Sequence, residues 1–349
     1  GIRVGFRAAP DLFMWDGHTI PVQINYRFPT ESWMDEDNSV LNVSINGTFL
    51  HNLTVNKIGL VENIWRKLGG DSRQEHYTLQ LAPYLIYGDN QLEFYFGIKP
   101  KPDAPCSILT SNNIKSRIDP NSYIDLSGSY HFTQLPNLSY FVGASYPFSK
   151  LADFTETLML LPDAPSANDI QMLLNMAARA GKATGVPVSH VQVAFGIKGD
   201  ASDNPLFDRD ILAITTLGDT PFNQQLFEKS PFNINNNSLG VKAPTQWQRA
   251  IAWLTGDWYR QPVDADRYLS SPGAGRGFVS YASRWSNGHV VVVATGTDGN
   301  QLLRIHDDLK SARINAGVRG DIAIITDENG IRSFTVGKQF PTGQMPWYM

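Results

Sequence analysis

The sequence predicts a multidomain protein of β plus α/β class. An antiparallel jelly-roll β-sandwich is expected over residues 1–146, and a flavodoxin-like α/β domain over residues 147–349. Three observations predict it. Apolar residues alternate at period two through the first part of the chain. Near residue 150 the pattern changes to short, continuously apolar runs separated by helical periodicity. The 349 residues, 42% of them hydrophobic, suffice for two domains at roughly 150 residues each, each with its own core.

In the first part, Gly1–Phe6 reads as a strand. Residues 20–28 put Val22, Ile24, Tyr26 and Phe28 on one face, the mark of a half-buried strand. Residues 39–50 repeat the pattern through Leu41, Val43 and Ile45 and turn at Asn46-Gly47, a strong hairpin signal. Asp35-Glu36-Asp37 just before is read as a solvated loop tip. Tyr77, Leu79 and Leu81 alternate. The chain turns at Gly88-Asp89-Asn90, and Leu92, Phe94 and Phe96 resume the alternation. Residues 122–132 add one or two strands ending in Tyr130-His131-Phe132. Regular strands with Gly, Pro and Asn turns indicate a sandwich. The Pro- and Ser-rich residues 133–149 are read as the boundary.

In the second part, Thr157–Leu161 is a short buried strand stopped by Pro162. Ser166 with Asp169 reads as a capping box. Ile170, Leu173, Leu174, Ala177 and Ala178 then mark one helical face, and Gly181 and Gly185 end the helix. Val191–Phe195 and Ile211–Thr215 are further strands. Pro244 opens a helix whose buried face is expected to be Trp247, Ala250, Ile251 and Leu254. Val290–Ala294 is the clearest buried strand, followed by a helix through Leu302, Ile305, Leu309 and Ala312. Ile322–Ile325 is another strand and Ile331–Val336 an edge. Strand–helix alternation with continuously apolar strands predicts a mostly parallel sheet covered on both faces.

Composition excludes several functions. Lys+Arg 29 against Asp+Glu 33 gives a net charge of −4, so no basic field awaits a phosphate backbone and nucleic acid is not an expected partner. The lone Cys106 permits no internal disulfide. No zinc-type Cys/His spacing and no H-E-x-x-H occurs, so no metal is expected. No run of about 18 apolar residues is long enough to span a bilayer.

No cofactor is expected either. The loop after the first α/β strand, Pro162-Asp-Ala-Pro165, lacks phosphate-binding donors and puts Asp163 where an anion would lie, which argues against flavin. Thr295–Asn300 could hold an anion at a helix start, but reads better as a tight turn with Thr297 or Asp298 as N-cap. Gly273-Ala-Gly-Arg-Gly277 resembles a dinucleotide loop, yet precedes a strand-like run and not a helix. It is expected to be a surface loop.

No catalytic residue is predicted. No G-x-S-x-G elbow occurs, and the seven histidines are scattered. Asp119 and Asp125 flank a turn-like stretch and could serve a glycan-modifying enzyme as acid and base; turn and capping roles are the favoured reading. The aromatics point elsewhere. A sugar ring has an apolar face and a hydroxyl rim, suited to flat side chains beside a few polar anchors. Trp15 and Trp33, in expected loops, with Tyr84 and Tyr87, are the candidate carbohydrate-binding residues.

Several runs carry a family resemblance: Phe6–Gly17 (FRAAPDLFMWDG), Ile20–Pro29 (IPVQINYRFP), Ser116–Gly128 (SRIDPNSYIDLSG), Leu161-Pro-Asp163 and Phe340–Tyr348 (FPTGQMPWY). Through them essentially the whole chain resembles the periplasmic, membrane-anchored B subunit of bacterial cellulose synthase, often named cyclic di-GMP-binding protein. That family alternates carbohydrate-binding-like sandwiches with flavodoxin-like domains, two of each. The chain resembles the second of each, ending just before the family's C-terminal amphipathic helix and membrane anchor. The resemblance implies a non-catalytic subunit on the periplasmic side of the inner membrane. Its implied partners are the catalytic A subunit and the nascent cellulose chain. A pure self-assembly module, whose flavodoxin-like domain stacks on the sandwich of another copy of itself, is the alternative reading. Cyclic di-GMP is cytoplasmic, and its receptor motif, R-x-x-x-R with D/N-x-S-x-x-G, belongs to the A subunit; no such pair is read in this chain. The dinucleotide is therefore read as a pathway keyword and not as a ligand of this chain.

Overall fold

A computed structural model describes residues 1–13, 18–29, 32–55, 75–86, 88–105, 116–199, 204–235, 237–256, 259–270 and 273–345. The chain forms two compact units: Gly1–Ala8 with Leu12–His131, and Ala9–Asp11 with Phe132–Met349.

The first unit is built from β1 (Ile2–Arg7), β2 (Leu12–Phe13), β3 (Ile20–Arg27), β4 (Val40–Ile45), β5 (Thr48–Thr54), β6 (Glu75–Leu81), β7 (Asp89–Gly97), β8 (Arg117–Ile118) and β9 (Tyr123–Ile124). One antiparallel sheet runs β1-β7-β4-β5; another runs β6-β3-β8, with β9 also on β3. The alternating residues fill the core between them: Val22, Ile24, Tyr26 and Phe28 from the third strand, and Leu41, Val43 and Ile45 from the fourth, are all buried. Asn46 and Gly47 both have positive φ (49° and 79°), the conformation that a two-residue hairpin matched to strand twist requires. Tyr77 departs from the expected alternation. Leu79 and Leu81 are buried, but Tyr77 is exposed and stacks on His51 at 5.0 Å.

The strand β10 (Tyr130–Leu135) begins in the first unit and enters the second at Phe132. The second unit continues with β11 (Thr157–Leu161), β12 (Gln192–Phe195), β13 (Asp210–Thr216), β14 (Phe232–Asn235), β15 (Ser238–Val241), β16 (Gly275–Ala282), β17 (Val290–Gly296), β18 (Ile322–Thr326), β19 (Gly330–Phe334) and β20 (Phe340–Gly343). Its main sheet has the order β12-β11-β13-β17-β16-β18-β19. The β11, β12, β13 and β17 strands are parallel, as expected. The other pairings, β16–β17, β16–β18 and β18–β19, are antiparallel, so the sheet is mixed and not mostly parallel. The reason is connection length: a parallel crossover needs a dozen or more residues. Only the short segment from Ser283 to His289, closed by Ser283 N–H donating to His289 O at 2.8 Å, separates β16 from β17.

Both sheet faces are covered. One core holds Met159, Leu161, Leu212, Ile214 and Val292 under the helices Leu138–Ala144, Ala167–Thr184 and Gly299–Asp308. The other holds Leu158, Leu160, Ile211, Val291 and Val293 with Phe222, Leu226 and Ala265 from the helices Thr220–Leu226 and Pro262–Leu269. The Pro- and Ser-rich stretch 133–149 belongs to this unit. Asn137 caps its helix, and Leu138, Phe141 and Val142 are buried.

Two helices bury other faces than the periodicity suggests. The Ala167–Thr184 helix has the Ser166/Asp169 capping box and ends at Gly185 (φ 76°), but it buries Met172, Leu173, Met176 and Ala180 while Ile170 and Leu174 are exposed. The Gln246–Thr255 helix, capped by Thr245, buries nothing. Trp247, Ile251 and Leu254, expected inside, are exposed.

Asp321 is almost fully buried at 1% exposure, accepting the N–H groups of Val336 (2.8 Å) and Gly337 (2.5 Å). Burial nevertheless raises its pKa from 3.8 to about 6. The folded value lies above the unfolded one, so this group's stabilising contribution is complete below pH 3.8 and is lost as pH rises through about 6. The span is on the order of 3 kcal/mol. Urea melts should show unfolding free energy falling across that window in the native chain and a flatter profile in Asp321→Asn. An equal slope in both would disprove the assignment.

Candidate functional site

The first unit carries a cleft of about 200 Å³. Ile20 and Pro21, at the start of β3, form its base. Asp125 N–H donates to Pro21 O at 2.8 Å, continuing the β9–β3 pairing and drawing the 125–130 loop across. The loop is closed by Ser127, whose N–H and hydroxyl both donate to Asp125 Oδ1 at 2.9 and 2.5 Å. These bonds hold the Asp125 carboxyl below its ordinary pKa, so it is an anionic acceptor at neutral pH. Phe13, His18, Thr19, Pro83, Gly128, Ser129 and Tyr130 complete the lining. Two aromatic surfaces beside a carboxylate and serine hydroxyls combine apolar contact with a few polar anchors. The volume is below the roughly 300–1,000 Å³ of drug-sized ligand pockets, which suits one ring of a longer ligand.

Of the candidate carbohydrate-binding residues, Trp15 and Tyr87 lie outside the described residues. Tyr84 is 82% exposed in the turn Pro83–Leu85, beside the lining Pro83. Trp33 is half-buried against the sandwich core, its carbonyl accepting from Lys101 N–H at 2.8 Å. Phe13, His18 and Tyr130 were not singled out by sequence. Their signal is weak, because they reach the cleft only through pairings between distant segments.

The possible acid–base pair has other work. Asp119 is 4% exposed and ion-paired to Arg27 at 3.0 Å and Arg117 at 2.6 Å. Asp125 is the turn acceptor just described, and its lowered pKa is opposite in direction to that of a general acid.

The candidate anion loops resolve into structure. Asp298 caps the Gly299–Asp308 helix, accepting from Gln301 N–H at 2.9 Å, so its carboxylate already holds that helix start. Gly275–Gly277 is not a surface loop. It begins the interior strand β16, and a Cβ on Gly277 would lie 2.0 Å from Ala323 O. The strand-like run after it binds this segment into the sheet. Contrary to the expectation that the pair is absent, the cyclic di-GMP pattern does occur by letter, as Arg3-x-x-x-Arg7 and Asn42-x-Ser44-x-x-Gly47. Both arginines meet carboxylates of β7: Arg3 with Glu93 at 3.1 Å and Arg7 with Asp89 at 3.0 Å. Among the described residues, no group of three His, Cys, Asp or Glu could hold a metal, and no helix is long and apolar enough to cross a membrane.

A two-sheet β unit with a small aromatic and polar cleft, followed by a mixed α/β unit, places the chain among sheet-rich proteins that join a carbohydrate-binding-module-like domain to an α/β domain. The chain belongs to the BcsB family of cellulose synthase. Residues 1–123 match the model of its second CBM domain, and residues 131–294 that of its second FD domain. It is 27% identical to a cyclic di-GMP-binding protein of Komagataeibacter xylinus, over 100% of this chain and 44% of the relative. It is 28% identical to cellulose synthase 2 of Novacetimonas hansenii, over 99% of this chain and 21% of the relative. A cyclic di-GMP-binding protein of Xanthomonas axonopodis pv. citri is 28% identical, over 99% and 45%. The chain spans less than half the length of these relatives.

Proposed function

We propose that the protein is a non-catalytic accessory component of bacterial cellulose synthesis. In this reading it works on the periplasmic side of the inner membrane, supports the catalytic A subunit and guides the emerging glucan, with self-association as a further contact. The observation that carries the reading is the ordered match to the second CBM and second FD domains of one family. The first unit is read as a jelly-roll module and the second as flavodoxin-like, supported by the parallel order β12-β11-β13. Cyclic di-GMP, in the names of two relatives, stays a feature of the pathway, and the ion-paired Arg3 and Arg7 support that view.

Glucan contact is assigned to the cleft, with Tyr130 and Phe13 against a ring face and Asp125 on its hydroxyls. Tyr84 and the sequence candidates Trp15, Trp33 and Tyr87 are proposed to extend it. Single-ring contact implies weak binding, with Kd on the order of 1 mM, or about −4 kcal/mol. Titration with cellohexaose should shift the amide resonances of residues 18–20 and 125–130, and Tyr130→Ala should abolish the shifts. Unchanged spectra at millimolar sugar would remove glucan contact and leave the supporting role. That role is tested separately by cellulose output in cells carrying each domain deletion.

A further inference from the structure

The Gln246–Thr255 helix is the least explained element of the second unit. It has a complete capping box and a left-handed Gly256 at its end (φ 77°), so its limits are locally fixed, yet none of its residues is buried. Trp247, Ile251 and Leu254 recur at i, i+4 and i+7, the spacing of one helical stripe, and are 78, 53 and 75% exposed. Trp253 (71%), Tyr259 (49%) and Val263 (51%) add exposed apolar surface nearby. Three of the chain's eight tryptophans fall within residues 247–258.

Beside this helix lies a groove of about 1180 Å³ lined by Lys229, Lys242, Arg249, Arg260 and Lys338 and by no acidic residue. Lys242 is held by three carbonyls, those of Phe227 (3.2 Å), Glu228 (2.9 Å) and Ser230 (2.8 Å), which fix its ammonium without neutralising it. Among the described residues no ion pair joins Lys229, Lys242, Arg249 or Lys338. This cationic patch stands on a chain whose net charge is −4.

We infer that this helix and its basic groove dock on an anionic lipid surface. An interfacial helix combines a polar, cationic face with Trp and Leu on the other, and lies in the plane of the headgroups. Tryptophan and tyrosine favour that layer, with the ring in the apolar margin and the N–H or O–H in water. The cations supply attraction to anionic headgroups that an apolar stripe alone lacks. A second copy is the poorer occupant, because a two-fold contact through this patch would set like charges against each other. The inference stands apart from the cellulose reading: it concerns a surface of the α/β unit, whatever the sandwich binds.

The test is co-sedimentation of the full chain with vesicles of mixed phosphatidylcholine and phosphatidylglycerol, and with phosphatidylcholine alone. Binding to the anionic vesicles, a blue shift of tryptophan emission, and weakening by added salt are expected. Trp247→Ser with Leu254→Ser should cut binding about tenfold or more by removing the inserted face. Their exposure means that thermal melts should be unchanged. Arg249→Gln, on the same helix, should weaken binding to the anionic vesicles alone and serves if the double variant fails to fold. Absence of binding to anionic vesicles, or equal binding by the native chain and both variants, would overturn the inference. So would concentration-dependent self-association that the double variant abolishes while vesicles capture nothing.

Discussion

Arg276→Met is expected to lower the stability of the α/β unit by about 3–5 kcal/mol, the scale for breaking a buried ion pair from one side. Arg276 lies on the interior strand β16, 3% exposed, and its guanidinium is fully engaged. Nε and Nη2 bind the two oxygens of Asp308, the latter at 3.0 Å, while Nη1 reaches Gln301 at 2.8 Å and Asp327 at 3.0 Å. Replacement leaves Asp308, 13% exposed, without its cation next to a buried Gln301. Asp327 adds little, because it is 56% exposed and also held by Arg304. Arg276→Lys keeps the charge but not the planar fork, so an intermediate loss is expected. Pairing Arg276→Met with Asp308→Leu should recover part of the deficit by removing the stranded carboxylate. Chemical denaturation of the α/β unit measures all three. A loss below about 1 kcal/mol for Arg276→Met, the scale of a surface pair, would mean that the clamp is ornamental.

That clamp shows what sequence could and could not convey. The letters Gly-Ala-Gly-Arg-Gly read as a loop because glycine is the usual mark of a turn. Here Gly277 is required by the approach of Ala323 O, on the neighbouring strand β18, a contact between residues far apart in the chain. Strands were legible where the period was uninterrupted: Val22 to Phe28 and Leu41 to Ile45 are buried as the alternation requires. Caps were legible because they are local, as Ser166 with Asp169 and Asp298 with Gln301 show. Strand direction on the β16–β19 side depends on connection length more than on apolarity, so continuous apolar runs alone suggested parallel strands. The Gln246–Thr255 helix is the reverse case. Its stripe was visible in sequence, but periodicity reports that an apolar face exists and not what covers it.

The proposed sandwich site has no local signature in the sequence. Aromatics beside neutral polar residues suggested sugar contact, but the cleft is assembled by pairings such as Val22 with Ile124, about a hundred positions apart. No local pattern announces them. The same applies to the pair of Asp119 with Arg27, 92 positions away on β3, although its other partner, Arg117, stands two positions before it.

For Asp119 the structural and catalytic readings separate in one experiment. Asp119→Ala should destabilise the sandwich by about 2–4 kcal/mol, the buried-pair scale reduced because Arg117 is well exposed. Arg27, only 22% exposed, would lose its 3.0 Å partner, while Asp119 N–H would still donate to Asn25 O and Ser122 N–H to Asp119 O. The turn would therefore persist while the clamp across β3 and β8 is lost. Asp125→Asn should leave stability within about 0.5 kcal/mol, as expected for a half-exposed turn position whose substitute still offers Ser127 an oxygen. A catalytic carboxylate would behave oppositely. Its amide replacement would retain a native melt and lose turnover on cellulose fragments, because the proton-transfer group alone has been removed. Urea melts of the sandwich, read beside cellulose output in cells, decide between them. Reduced stability of Asp119→Ala, with normal output from Asp125→Asn, is the result that the ion-pair geometry requires. Native stability in both, with output abolished, would turn the assignment towards an enzyme.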